Sequence, residues 1–226
     1  MRGVKLNWLR IAVHVGALLP LALLVWDATQ NTLSVNPIQD VTFRTGRTAL
    51  TLLVLSLACT PLNTLFGFKK ALTVRRALGL YAFAYAGLHL FTFAYLDYGL
   101  DLALIAQTIA EKRYVVVGFA AFVIMLPLVL TSTKGWQKRL GKRWKRLHRL
   151  TYVAGALAVI HFVWLVKSDI TEPVRFGMVV ALLLALRIPI VRKTISSARA
   201  RLAGLIRGAW GRRQAGLRAT NELNGA

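Results

Sequence analysis

Four histidines, His14, His89, His148 and His161, stand in or at the ends of long apolar runs in this chain of 226 residues. Burying an imidazole in such a run is costly without a partner, so each is a candidate for function. The plain alternative is a neutral ring sharing a hydrogen bond between packed helices. One histidine alone would fit that alternative. Four of four, in runs that contain no Asp or Glu, point to ligation instead, because proton relays mix His with carboxylates. Zinc or copper would recruit Cys, carboxylates or clustered His. Haem needs only one axial ligand on each side of its iron, supplied from facing helices. Two histidines closing both axial positions favour electron transfer over oxygen binding.

The spacing of the histidines makes the reading more specific. His89 lies 13 residues beyond Arg76, and His161 lies 13 beyond His148. If Arg76 and His148 mark similar depths on parallel spans, His89 and His161 are level and form the first candidate haem pair. His148, about 20 Å further in at 1.5 Å per residue, would anchor a second haem. A step of 13 residues turns a straight helix by about 140°, so His148 and His161 share a face only if the helix is interrupted. His14 is either the opposite ligand for His148 or a packing residue. Arg75 and Arg76 are candidates for binding haem propionates or a flavin phosphate; they are equally read as ordinary cations at the membrane surface.

The elements that must position these residues are transmembrane helices. Hydrophobic residues make up 56% of the chain, against about 45–50% in soluble domains. The apolar runs are Leu6–Trp26, Thr48–Leu62, Ala77–Leu96, Val115–Thr131, Leu150–Val166 and Val174–Val191. Crossing a bilayer takes about 20 helical residues, and an amphipathic soluble helix would break each run with charge at every turn. The expected fold is an all-α, polytopic membrane bundle of about six transmembrane helices. The first run is read as retained, since no small-residue cleavage site follows Trp26. Cys59 is the single cysteine, which excludes an intrachain disulfide, and its place within a run leaves a small buried residue as its role.

Charge sets the direction. The formal net charge is +22, from 30 Lys and Arg against 8 Asp and Glu. With both termini inside, segments 1–10, 63–76, 132–149 and 192–226 hold 23 of those 30 cations, and seven of the eight acids fall in the outer loops. Lys and Arg mark cytoplasmic loops, which gives an N-in, C-in topology. The basic loops meet the anionic inner leaflet, so the charge does not require nucleic acid. Residues 1–191 are expected to form the haem-binding domain. Residues 192–226 form a basic tail in which Ile195, Ala198, Leu202, Leu205, Ile206 and Trp210 recur at helical spacing, as in an interfacial helix. No internal repeat is evident.

Several segments carry a family resemblance: HVGALLP (14–20), GRTAL (46–50), RRALGLYAFAYAGLHL (75–90), TSTKGWQKRLGKRWKRLHRLTY (131–152), HFVWLVK (161–167) and LLLALR (182–187). Together they resemble the MsrQ family, the haem-binding membrane subunits of the bacterial periplasmic methionine sulfoxide reductase system. More distantly the chain is similar to the ferric reductase-like transmembrane domain of NADPH oxidases. The resemblance implies a carrier with one or two b-type haems, with FMN as a possible second cofactor, in the bacterial inner membrane. Electrons would come from the quinone pool or a flavin reductase and pass to a periplasmic molybdopterin subunit of the MsrP type. That partner would hold the catalytic site. It also implies that His89, His148 and His161 are haem-linked, and that His14 falls on a histidine common in the first span. The competing functions are a stand-alone transmembrane cytochrome b that reduces quinol-type or metal substrates, and a transporter without haem.

Overall fold

The computed structural model describes residues 8–191, with 193–195, 197, 201 and 204 beyond them. Among the described residues there is no strand; the regular elements are helices. In chain order they are α1 (Trp8–Thr29), α2 (Pro37–Phe66), α3 (Lys69–Phe91), a π-helical turn (Thr92–Asp97), α4 (Leu102–Glu111), α5 (Arg113–Leu130), α6 (Lys134–Leu140), α7 (Lys142–Leu147), α8 (Leu150–Leu165) and α9 (Thr171–Ala185). Five spans are long and apolar enough to cross a membrane, the fifth running through α7 and α8. α9 forms a sixth if the segment Pro189–Ile195, bent from it by 67°, is counted with it. Proline explains that break: it lacks an N–H, and it pushes the residue before it away from helical angles. The chain is a multi-pass membrane protein. Most of the tail 192–226, including most of its expected interfacial helix, lies outside the described residues.

Two helical hairpins form the centre. α2 and α3 pack along their lengths, as do α5 and α8, and α3 also touches α5. α2 starts on Asn36, whose side chain accepts from the Gln39 N–H, with Pro37 in the first turn. It ends on Gly67, whose φ of 68° lets the chain reverse into α3 at a position where a Cβ would be strained. Where α2 and α3 pack deepest, Leu53, Leu78, Ala82 and Tyr85 are buried together with Ala154 of α8. Cys59 is buried there too and its thiol bonds the Leu55 carbonyl.

α1 is fastened to α3 at its weakest turn. Pro20 removes a backbone donor, and beside it the Tyr85 hydroxyl donates to the Ala17 carbonyl at 2.7 Å and accepts from the Leu21 N–H at 3.0 Å.

The acidic end has more helix than the sequence reading allowed. Residues 37–47 and 102–111 lie between the apolar runs, where the sequence predicts outer loops, yet they are the start of α2 and the whole of α4. Asn36 and Asp101 explain both, since each caps a helix start by accepting from backbone N–H groups. Asp40, Arg44 and Arg47 therefore sit on one helix. There Arg44 pairs with Asp27 and Asp40, and Arg47 with Glu172, tying α2 to α1 and α9. Asp169 accepts from Thr171 at the start of α9, and that bonding holds its carboxyl below the usual value.

Candidate haem-ligand site

His89 and His161 meet between the two hairpins. Their ring centres are 6.1 Å apart and their planes are inclined by 80°. Each is fixed by the backbone of the helix paired with its own. His89, on α3, bonds through Nδ1 to the carbonyl of Thr42 on α2 at 2.9 Å. His161, on α8, bonds through Nδ1 to the carbonyl of Tyr114 on α5 at 2.7 Å. A carbonyl only accepts, so Nδ1 is the protonated nitrogen in both rings. Nε2 is left with its lone pair in both, the state a metal ligand needs.

Two glycines make this possible. A Cβ on Gly118 would lie 2.6 Å from His161 Nδ1, and one on Gly46 would lie 3.0 Å from His89 Nδ1. Only a bare helix backbone lets each ring approach. A glycine inside a helix costs about 1 kcal/mol relative to alanine, and here that cost is met twice.

The contacts that hold the two rings recur at matching positions of the two hairpins. Thr42, Gly46 and His89 in the first hairpin answer to Tyr114, Gly118 and His161 in the second, 72 positions on in each case. Ala82 and Ala154, both fully buried, keep the same offset. The two hairpins thus place several matching contacts at one constant offset, although no internal repeat is evident in the sequence. The glycines keep the same offset as the histidine and alanine pairs, and sequence reasoning passed over them along with Thr42 and Tyr114.

The arrangement fits a bis-histidine metal centre. Two metal–imidazole bonds of about 2 Å, extended from each nitrogen to its ring centre, span a distance close to the one observed. The π-helical turn begins at Thr92, three residues after His89; such turns often occur at functional sites.

His148 lies elsewhere. It caps α7 at a tightened turn, where Arg149 and Tyr152 bond three residues back instead of four. This is the interruption between His148 and His161 that the spacing required for a shared face. Trp144 stacks on the ring at 4.0 Å and donates to the Thr131 carbonyl. The Thr131 hydroxyl gives its one proton to Pro127 O at 2.6 Å, so it accepts from His148 Nε2 at 3.1 Å. His148 therefore keeps its lone pair on Nδ1, unlike the other two.

His148 lines a cavity of about 350 Å³ at the basic end, with Arg75, Arg76, Trp144, Tyr152 and Arg187. Arg75 also bonds Thr60. In the internal correspondence, Arg76 occupies the place of His148, so this second site has a histidine on one side only. His14 is not among the residues lining that cavity; its Nδ1 meets the Tyr81 hydroxyl at 2.9 Å on the outside of the bundle. The structure does not bring it together with His148.

A membrane helical bundle with two opposed histidines, each oriented by a backbone carbonyl, is the class defined so far. Residues 45–159 match the family described as ferric reductase like transmembrane component. A relative from Xanthomonas axonopodis pv. citri (strain 306) is 45% identical over 182 residues, covering 78% of this chain and 84% of the relative. One from Xanthomonas campestris pv. campestris (strain 8004) is 44% identical, covering 83% and 88%. One from Herminiimonas arsenicoxydans is 40% identical, covering 81% and 86%. All three are named protein-methionine-sulfoxide reductase heme-binding subunit MsrQ. This chain belongs to the MsrQ family of ferric reductase-like transmembrane proteins.

Proposed function

We propose that the chain is the membrane electron-transfer subunit of a protein-methionine-sulfoxide reductase, carrying electrons through b-type haem. The observation that supports this most is the opposed His89–His161 pair, with both Nδ1 atoms bonded to backbone and both Nε2 atoms free. Among the described residues, no three His, Cys, Asp or Glu groups cluster as a metal site. Two imidazoles alone leave most of a metal's coordination to the ligand itself, which is what a porphyrin provides. A bound haem would supply one-electron chemistry; His89 on α3 and His161 on α8 would hold it, and the Thr42 and Tyr114 carbonyls fix the tautomer of both rings.

The finer parts of the proposal are supported by membership of a family whose relatives are named for haem binding and for methionine sulfoxide reductase. The membrane is the bacterial inner membrane, with the basic end in the cytoplasm. Either the quinone pool or a flavin reductase supplies electrons at that end, next to His148, Arg75 and Arg76. FMN is a candidate second cofactor there. The acceptor is a periplasmic molybdopterin subunit of the MsrP type, which reduces methionine sulfoxide, a common oxidative lesion of proteins.

A reduced-minus-oxidised spectrum of the purified chain tests the core of this reading, and a b-type signal is expected. No such signal after haem-replete expression would sink it. Copurification with a soluble molybdoenzyme is expected as well, and its failure would turn the reading towards a self-sufficient cytochrome b.

A further inference from the structure

The acidic end of the bundle carries a basic pocket. Lys112 and Arg113 stand where α4 meets α5, and Trp164 and Lys167 stand at the end of α8. Because α5 packs along α8, these four residues, with Glu111 and Tyr114, line one open pocket of about 440 Å³. Lys112, Arg113, Trp164 and Lys167 are exposed. The surroundings have the opposite sign, since seven of the chain's eight acids fall at this end. Two other cations there are neutralised, Arg44 by Asp27 and Asp40 and Arg47 by Glu172. Those of the pocket are not. Lys112 donates to the neutral Tyr98 hydroxyl at 3.4 Å, and Glu111 accepts from Gln107. Among the described residues, none of Lys112, Arg113 and Lys167 forms an ion pair.

The pocket adjoins the outer histidine pair. Tyr114 is one of its walls, and the same residue gives its carbonyl to His161 Nδ1 at 2.7 Å. The two ring centres are 6.0 Å apart. Trp164, on the other wall, lies three residues beyond His161. A molecule seated here is one side chain away from His161.

We propose that this pocket is where the electron acceptor docks, and that the acceptor is a soluble redox protein with carboxylates around its own redox centre. The proposal rests on the electron-transfer reading and names the surface that reading needs. One electron leaves the His89–His161 site and enters the partner's oxidised centre; no bond forms or breaks between the two proteins. The remaining acids of this face repel an acidic partner, while Lys112, Arg113 and Lys167 attract it at one place and turn its centre towards His161. Such steering raises association rates by about 10–10³-fold and fades as salt is added. A lipid headgroup would need cations only somewhere along the rim of the spans. These are gathered beside the ring that Tyr114 holds.

The test compares the full chain with Lys112→Gln/Lys167→Gln and Lys112→Glu/Lys167→Glu, purified alike in mild detergent. Each is reduced with one equivalent of dithionite and mixed with the periplasmic molybdopterin subunit. Reoxidation is followed by stopped-flow absorbance between about 0.01 and 1 M ionic strength, over which the Debye length falls from about 30 to 3 Å. At low salt the second-order rate constant is expected to fall about tenfold in the double Glu variant and by less in the double Gln variant. The three rates are expected to converge at high salt, and reoxidation by a neutral quinone to be the same in all three. Rates equal to the parent's at every ionic strength overturn the proposal. So does a loss of haem per chain by pyridine haemochrome, which makes the cations holders of cofactor carboxylates. A fall in bound phospholipid phosphorus with unchanged rates overturns it too, in favour of a lipid site. A parent chain that cannot reduce the subunit sinks the electron-transfer reading and this docking site with it, whereas a working parent with unaffected variants sinks the docking site alone.

Discussion

A single absent methyl group decides whether each outer histidine can take up its position. Gly118→Ala puts a Cβ 2.6 Å from His161 Nδ1, inside any tolerable contact, while Gly46→Ala puts one 3.0 Å from His89. The first substitution is expected to remove most of the b-type difference spectrum. The second is expected to weaken it or shift its potential, since a displacement of a few tenths of an ångström suffices. A spectrum unchanged in Gly118→Ala would mean that the ring does not sit where its hydrogen bond to Tyr114 holds it. The ligands themselves give a sharper pattern. His89→Ala and His161→Ala are each expected to abolish the same spectral component, and His148→Ala to affect another. Equal loss from all three would point to one shared haem or to general misfolding.

At the scale of elements, the site depends on how helices are fastened in pairs. Tyr85 joins α1 to α3 by two hydrogen bonds to backbone beside Pro20. Ala17 and Leu21 are one helical turn apart and can bond each other without the hydroxyl, so Tyr85→Phe removes the tie between α1 and α3, at about 0.5–1.5 kcal/mol for each hydrogen bond lost. Thermal unfolding in detergent is expected to show that loss, with the His89–His161 component intact at low temperature. The ion pair between Arg47 and Glu172 joins α2 to α9 as well, but Arg47 is 62% exposed and its partner 36%. A pair that open contributes at most about 1 kcal/mol. Arg47→Ala is therefore expected to change the melting temperature less than Tyr85→Phe does, and the reverse order would put the fastening of the bundle at its acidic rim.

For the whole molecule, the consequence is coupling between cofactor and fold. His89 and His161 belong to different hairpins, so a ligand bound by both ties α2–α3 to α5–α8. A ligand that binds only the folded state at 100 times its dissociation constant adds about 2.7 kcal/mol. Chain produced without haem is expected to melt at a lower temperature than loaded chain. His89→Ala and His161→Ala are expected to lose most of that difference, and Gly46→Ala part of it. Equal melting of loaded and haem-free chain would show that the hairpins are held together without the ligand.

The sequence by itself determined the class of fold and the residue types at its centre, and its charges predict the direction. Apolar runs of span length, basic segments at one end and acids at the other follow from bilayer thickness and from surface charge, and neither needs a partner element to be read. His89 and His161 were legible as a level pair because depth in a membrane is a linear coordinate, counted at a fixed rise per residue. Rotation about each helix is not such a coordinate. It depends on interruptions such as the tightened turn at His148, so the face each histidine presents was settled only by packing. Helix at residues 37–47 and 102–111 was missed because polar caps, Asn36 and Asp101, outweigh the absence of a long apolar run. The roles of Thr42, Gly46, Tyr114 and Gly118 also needed the fold, since each acts on a histidine 43 or 47 positions away. Arg187 was readable only as one more basic residue. That its Nε is buried and unpartnered is a property of where α9 ends against Leu57 and Tyr152, and only the tertiary structure brings those three together.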